Sequence, residues 1–171
     1  MSIELGISSF GETTSLKTTG KAISHDQRIQ DLLDEIILAD ELKIDAFAIG
    51  EHHRKDFAVS APEIVLAAAA AKTKHIHLSS ATTNLPTIDT IRVYEQYATI
   101  DAFAPGRVEI MPGRGSFTEA FDLFGYNIEN YDDLFIEKLL MLLEIDKHEI
   151  LDWKGGKFTP KVDHKGIYPR T

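Results

Sequence analysis

The chain has 171 residues, 43% of them hydrophobic and 26% charged, with a formal net charge of -9, a pI near 5.2 and no cysteine. That is enough apolar material for the core of one globular domain spanning 1–171, which excludes disorder. The acidic balance and the lack of any Lys or Arg run exclude a nucleic-acid partner, and the missing thiols exclude disulfides, Cys-ligated zinc and thiol catalysis.

The start, Met1-Ser2-Ile3-Glu4, has no basic or apolar signal region, and no stretch approaches the ~20 apolar residues of a bilayer span. A cytoplasmic protein without a membrane partner is expected. Ile3 to Ser8 reads as a short strand. Ser24-His25-Asp26-Gln27 has the form of a capping box, and Ile29, Leu32, Leu33, Ile36, Ile37 and Ala39 recur at helical spacing up to Leu42. A second strand runs from Asp45 to Gly50. Ser60-Ala61-Pro62-Glu63 reads as another capping box, with Pro at the tolerated first position of a helix that reaches about Lys72. Ile76 to Ala81 is the third strand, Asp89 to about Phe103 the third helix, and Arg107 to Met111 the fourth strand after a Pro105-Gly106 turn. Ser116-Phe117-Thr118-Glu119 predicts the cap of a fourth helix. Beyond it, Leu134, Ile136, Leu139, Leu140, Leu142 and Leu143 predict the core side of a helix opened by Asn130 and Asp133. Asp152 to Phe158 reads as a two-residue hairpin, with Trp153 a packing residue.

Strands separated by helices at this pace are parallel βαβ units, because parallel strands need a crossover. The class is α/β, either a doubly wound sheet or part of a (β/α)8 TIM barrel. Gly6, Gly11 and Gly20 lie too far apart for a dinucleotide-binding fingerprint, which favours the barrel. In both architectures chemistry sits at the C-terminal ends of the strands. Those ends here are Ser8-Ser9, Glu51-His52-His53, Ala81-Thr82-Thr83-Asn84 and Pro112-Gly113-Arg114-Gly115, which should converge on one mouth. Polar strand ends also serve plain capping, so a purely structural reading stays open. Strand alternation lets one histidine face the mouth while its neighbour, His53, points away. Adjacent histidines seldom both face one ion, and further ligands at metal spacing are missing, so no metal is expected, although a metal-dependent barrel hydrolase stays as an alternative.

Gly50-Glu51-His52-His53, then Ala81-Thr82-Thr83-Asn84-Leu85-Pro86-Thr87 leading into Asp89 to Glu95, then Gly106 to Gly115 with the run Gly113-Arg114-Gly115, resemble the bacterial luciferase-like, flavin-dependent monooxygenase family. The resemblance implies a (β/α)8 barrel that binds reduced FMN, delivered by a flavin reductase, at its C-terminal mouth and uses O2 to oxidise an aldehyde or similar small substrate. A branch of the family uses the deazaflavin F420 for hydride transfer, and some members are non-catalytic subunits. By the same resemblance His52 is the catalytic acid or base near the flavin, Glu51 supports it and touches the cofactor, and Ala81-Thr82 is the bulged, often cis junction under the ring. Thr83, Met111, Arg114 and Gly115 complete the implied cofactor-binding set, with Arg114 near the flavin pyrimidine or phosphate. A turn arginine paired with a surface acid is the structural alternative for Arg114, and a turn role the alternative for Asn84. Ala120 stands where some luciferase subunits carry an acid, which puts light emission in doubt.

A full barrel takes ~250 residues, so this chain should hold about the first four β/α units plus a hairpin, the N-terminal half of such a barrel. An open sheet of that kind exposes an apolar edge. Homo-oligomerisation, or association with a second half, is therefore expected, with the helices of 61–72 and 89–103 at the contact, where Ala67 to Ala71 offers a small-residue face.

Overall fold

The protein is described by a computed structural model that covers residues 3–14 and 20–171. Four strands, β1 (Gly6–Ser9), β2 (Ala46–Ile49), β3 (His77–Ser80) and β5 (Val108–Glu109), form a parallel sheet in the order β1-β2-β3-β5. Gly6 sits beside Ala46, Ala46 beside His77, and Leu78 beside Val108, so the strands end nearly level. The crossovers are helices α1 (His25–Glu41), α2 (Pro62–Lys72) and α3 (Thr90–Asp101). The fold is the α/β, barrel-type arrangement expected. Two-residue strands β4 (Thr83–Asn84) and β6 (Pro112–Gly113) form a second parallel pairing just past the ends of β3 and β5, and this extension builds much of the site.

Local chemistry explains most boundaries. Ser24 accepts from the Gln27 N–H at 3.2 Å and Asp89 from the Arg92 N–H at 2.8 Å, so both side chains satisfy free donors at helix starts. Two other expected caps differ. Helix α2 starts from Ala61 with no side-chain cap, because Pro62 takes the first helical position and leaves Ser60 one residue too far out. Helix α4 (Glu119–Phe124) starts from Thr118, also uncapped, and Glu119 turns toward His52 instead of back to the backbone. At the other end of α2, Arg107 donates to the carbonyls of Ala70, Thr73 and Ile76, which closes that terminus with a cation.

Helix α5 (Tyr131–Lys147) departs from its expected face. Its buried residues are Leu134, Lys138, Met141, Leu142 and Ile145, whereas Ile136, Leu140 and Leu143 are exposed. The apolar residues wrap around this helix, so periodicity alone selects no single stripe; packing against α3 and the 85–87 turn selects it. The expected two-residue hairpin is also corrected. Strands β7 (Ile150–Trp153) and β8 (Val162–Gly166) pair antiparallel across the eight-residue connection 154–161. Glu137 of α5 holds that loop by accepting from the N–H groups of Lys157 and Phe158 and from the Thr159 hydroxyl. The same three bonds outweigh burial and hold its carboxyl below the usual range.

Lys138 makes a testable pH effect. The side chain is 2% exposed, and Nζ donates to the carbonyls of Pro86 and Ile88 at 2.7 and 2.8 Å and to the Tyr126 hydroxyl at 3.3 Å. Burial pulls its pKa down from 10.5 to about 8, against the pull of Asp89 and Glu137. Below pH ~8 both folded and unfolded chains hold this proton and the desolvated ammonium counts fully against folding. Between ~8 and ~10.4 the unfolded chain binds more protons, so stability rises with pH, by roughly 3 kcal/mol from this group. Urea unfolding across that window should show the rise in the wild type and a flat profile, at this site's magnitude, in Lys138→Met.

Candidate active site

Past Ile49 the chain leaves the sheet at Gly50, where any Cβ would run into the Phe10 ring. His52 is 8% exposed, and its N–H donates to the Val59 carbonyl at 3.0 Å. Three aromatic rings enclose the imidazole, with centroids at 5.4 Å for Phe10, 4.2 Å for Phe57 and 4.8 Å for Phe117. Its Nδ1 lies 3.7 Å from Oε1 of Glu119. Glu51 is itself sequestered: Oε1 lies 2.9 Å from His53 Nε2, and Oε2 accepts from the Asn84 N–H at 2.9 Å. A carboxylate so placed is satisfied on both oxygens and ties the end of β2 to β4.

The Ala81-Thr82 peptide bond is cis. Ala81 N–H donates to the Ile49 carbonyl at 2.6 Å, and Thr83 N–H to the Met111 carbonyl at 3.0 Å, which carries the sheet outward past β3. Asn84 is buried, and its Oδ1 has no hydrogen-bond partner. On the facing β6 turn, a Cβ at Gly113 would overlap the Thr82 side chain, and one at Gly115, whose φ is +75°, would come within 2.8 Å of Asn84 Oδ1. Both positions need glycine for space, and Gly115 also for its left-handed backbone. Tyr131 braces this turn by donating its hydroxyl to the Gly115 carbonyl at 2.6 Å.

These groups wall a cavity of about 390 Å³ outside the strand ends. Glu51, His52, Ala81, Thr82, Arg114 and Gly115 come together there, as the sequence predicts. Thr83 does not: it is buried behind the wall, its hydroxyl donating to Ser80 at 2.9 Å and lying 3.1 Å from the Tyr97 hydroxyl. Nor does Met111, whose half-exposed side chain stands outside the wall while its N–H bonds Ser80 Oγ. His53 reverses the expectation for it. The backbone is no longer extended after Ile49, alternation lapses, and His53 borders the same cavity, packed edge-on against Phe124 at 5.0 Å. Ser8 and Ser9 stay out of the wall and Phe10 takes their place; Ser9 accepts from Arg28 and the Gly11 N–H. Arg114 borders the cavity yet pairs with Asp132 at 2.8 Å, both side chains more than half exposed, so the pair is weak and exchangeable.

Sequence reasoning missed Phe10, Phe117, Glu119 and Tyr131 as wall residues. Glu119 carried a signal, but of a cap; nothing local shows that α4 folds back over His52. Among the described residues no group of three or more His, Cys, Asp or Glu side chains is placed to hold a metal ion, and no helix is long and apolar enough to cross a membrane. The small-residue floor, the unpartnered Asn84 oxygen and the aromatic rim suit a flat organic ligand with N–H groups on its edge, which is the shape of a flavin ring.

A parallel sheet with helical crossovers and a ligand-sized cavity outside its strand ends defines an α/β protein, and its fold likeness to the solved structures below makes it part of a (β/α)8 barrel. Residues 3–171 match the model of the luciferase-like monooxygenases, and the chain belongs to that family. It is 32% identical over 138 residues to the N-acetyl-S-alkylcysteine monooxygenase of Bacillus subtilis, covering 77% of this chain and 41% of that protein. Its fold superimposes on the monooxygenase RslO1 of Streptomyces bottropensis with a TM-score of 0.85 at 22% identity, covering 99% of this chain and 50% of that one. On the oxygenating constituent of 3,6-diketocamphane monooxygenase from Pseudomonas putida, solved in complex with FMN, the TM-score is 0.80 at 24% identity, covering 99% and 45%. The chain thus spans half or less of the length of these relatives.

Proposed function

We propose that the cavity holds the ring of reduced FMN supplied by a separate reductase, and that the protein uses O2 to oxidise a small organic substrate such as an aldehyde. The observation that carries this reading is the ring-sized cleft between Ala81-Thr82 and Gly113 to Gly115, with the unpartnered Asn84 Oδ1 buried at its wall. When bound, reduced FMN would supply the two electrons that activate O2. The chain's own groups do the rest. Ala81, Thr82 and the glycines admit the ring, and Asn84 Oδ1 accepts from its edge. Arg114 exchanges Asp132 for a carbonyl or phosphate of the ligand. Phe10, Phe57 and Phe117 keep water from His52, and His52, with Glu119 Oε1 3.7 Å from its Nδ1, gives or takes the proton at the reacting centre. The unpaired outer edges of β1 and β5 among the described residues support association with a second copy or a second half.

Fluorescence titration tests the cofactor reading. FMN and riboflavin should both bind, because ring contacts dominate, and Gly113→Ala should weaken both by ~10-fold or more, about 1.4 kcal/mol, by pushing Thr82 into the cleft. Failure of the wild-type chain to bind either, or equal binding by Gly113→Ala, would sink it.

A further inference from the structure

Helix α5 holds both walls of the cleft. Tyr131 and Lys138 lie seven residues apart and so share one face of that helix. Lys138 Nζ donates to the carbonyls of Pro86 and Ile88, on the turn that continues Asn84. Tyr131 donates its hydroxyl to the Gly115 carbonyl at 2.6 Å, on the opposite wall. One helix thereby sets how far the turn from Gly113 to Gly115 stands from Asn84, whose Oδ1 is the nearest atom to a Cβ placed on Gly115.

Tyr131 also reaches Arg114. Its ring centroid lies 5.7 Å from the guanidinium carbon, within the range over which an aromatic face attracts a cation, and the Phe135 ring lies 6.0 Å from the same carbon. Fully buried Phe121 backs the Tyr131 ring, with centroids 5.6 Å apart. One anchored side chain therefore holds the backbone just after Arg114 with its hydroxyl and the guanidinium with its ring. Asp132, the next residue on the helix, takes Arg114 Nη1 at 2.8 Å across exposed surface, where solvent competes for both charges.

We infer that Tyr131 is a positioning residue for the cofactor: its ring keeps Arg114 at the cavity edge once Asp132 is exchanged, and its hydroxyl fixes the backbone from which Arg114 projects. The inference rests on the flavin reading above. The group that Arg114 meets is a flavin oxygen, on a ring carbonyl or on the phosphate, because a guanidinium donates to either. Without the Tyr131 ring the long arginine side chain spreads over many rotamers, and ordering it on the ligand then costs entropy.

A double-mutant cycle on flavin affinity tests it, read by fluorescence titration of the full chain with FMN and with riboflavin. Arg114→Ala and Tyr131→Leu should each weaken FMN binding by ~10-fold, and the double variant should fall well short of the ~100-fold product, because the ring acts through the guanidinium. Tyr131→Phe keeps the ring and loses the hydroxyl, so it should restore part of the affinity lost in Tyr131→Leu. If Tyr131→Leu does not fold, Tyr131→Phe carries the cycle, with a ~3-fold loss that disappears in the Arg114→Ala background. A loss shared by riboflavin places Arg114 on a ring carbonyl, and a loss confined to FMN places it on the phosphate; either supports the positioning role. The full product in the double variant, or wild-type affinity in either single variant, overturns that role while FMN binding by the wild type leaves the cofactor reading standing. If the wild type binds neither flavin, the cofactor reading falls and this inference falls with it.

Discussion

Replacing His52 with alanine should lower oxygenation by ~100- to 10,000-fold, about 3 to 5 kcal/mol of barrier, while changing FMN affinity far less. The imidazole is caged by Phe10, Phe57 and Phe117, with Glu119 3.7 Å from its Nδ1, so packing orients it and shields it from water, and at 8% exposure it adds little area to the ring cleft. On the proposed function, what its removal takes away is proton transfer, not binding. Stopped-flow oxidation of reduced FMN with a candidate aldehyde, in a preparation that turns over, separates the two effects. Equal rates for wild type and His52→Ala would remove His52 from the mechanism. The neighbouring His53 also borders the cavity, so its removal should be felt there too. His53→Ala should act through the Glu51 bridge, releasing the carboxylate that fixes the Asn84 N–H and so loosening the cofactor more than His52→Ala does.

The largest loss of stability should come from Asp40→Ala. Asp40 ends α1 buried, and its carboxylate accepts from the N–H groups of Lys74, His75 and Ile76 at 3.0, 2.8 and 2.8 Å, holding the turn that feeds β3. Burial works against the charged form, but the three backbone bonds outweigh it and lower the carboxyl below its ordinary pKa. Alanine would leave three donors without an acceptor, one of them fully buried, at a cost of roughly 3 to 5 kcal/mol. A depressed carboxylate pKa places the associated stability above the unfolded value of ~3.9 and removes it as pH falls through the folded value. Urea unfolding at neutral pH should therefore show the full difference between wild type and Asp40→Ala, and the gap should close as pH drops well below ~4. A constant gap across that range would assign Asp40 to packing instead of charge.

How much of this could be read beforehand depends on how far apart in the chain the causes lie. Ser24 and Asp89 cap helices through donors three residues away, so both starts were legible. Ser60 carried the same local pattern and failed, because Pro62 claimed the helix start. The hairpin's loop was misread for the opposite reason: its shape is set by Glu137, at least twenty residues upstream of the N–H groups it holds. The core face of α5 could not be picked from its own residues, since leucines occupy nearly every side and only contact with α3 and the 85–87 turn separates buried from exposed.

By itself, then, the sequence determined the alternation of parallel strands and crossover helices, and the delivery of Glu51, His52, Ala81, Thr82, Arg114 and Gly115 to one end of the sheet. Both follow from short-range periodicity and from the rule that parallel strands share a direction, so their C-terminal ends must meet. Only the tertiary structure decided that His53 joins the cavity, that Thr83 and Met111 leave it, and that Glu119 stands against His52 with Glu63 behind Glu51. Those placements depend on how the chain turns once the sheet's hydrogen bonding stops, and on which distant helix fills the space beside the turn. Neither is encoded in a spacing of two or 3.6 residues.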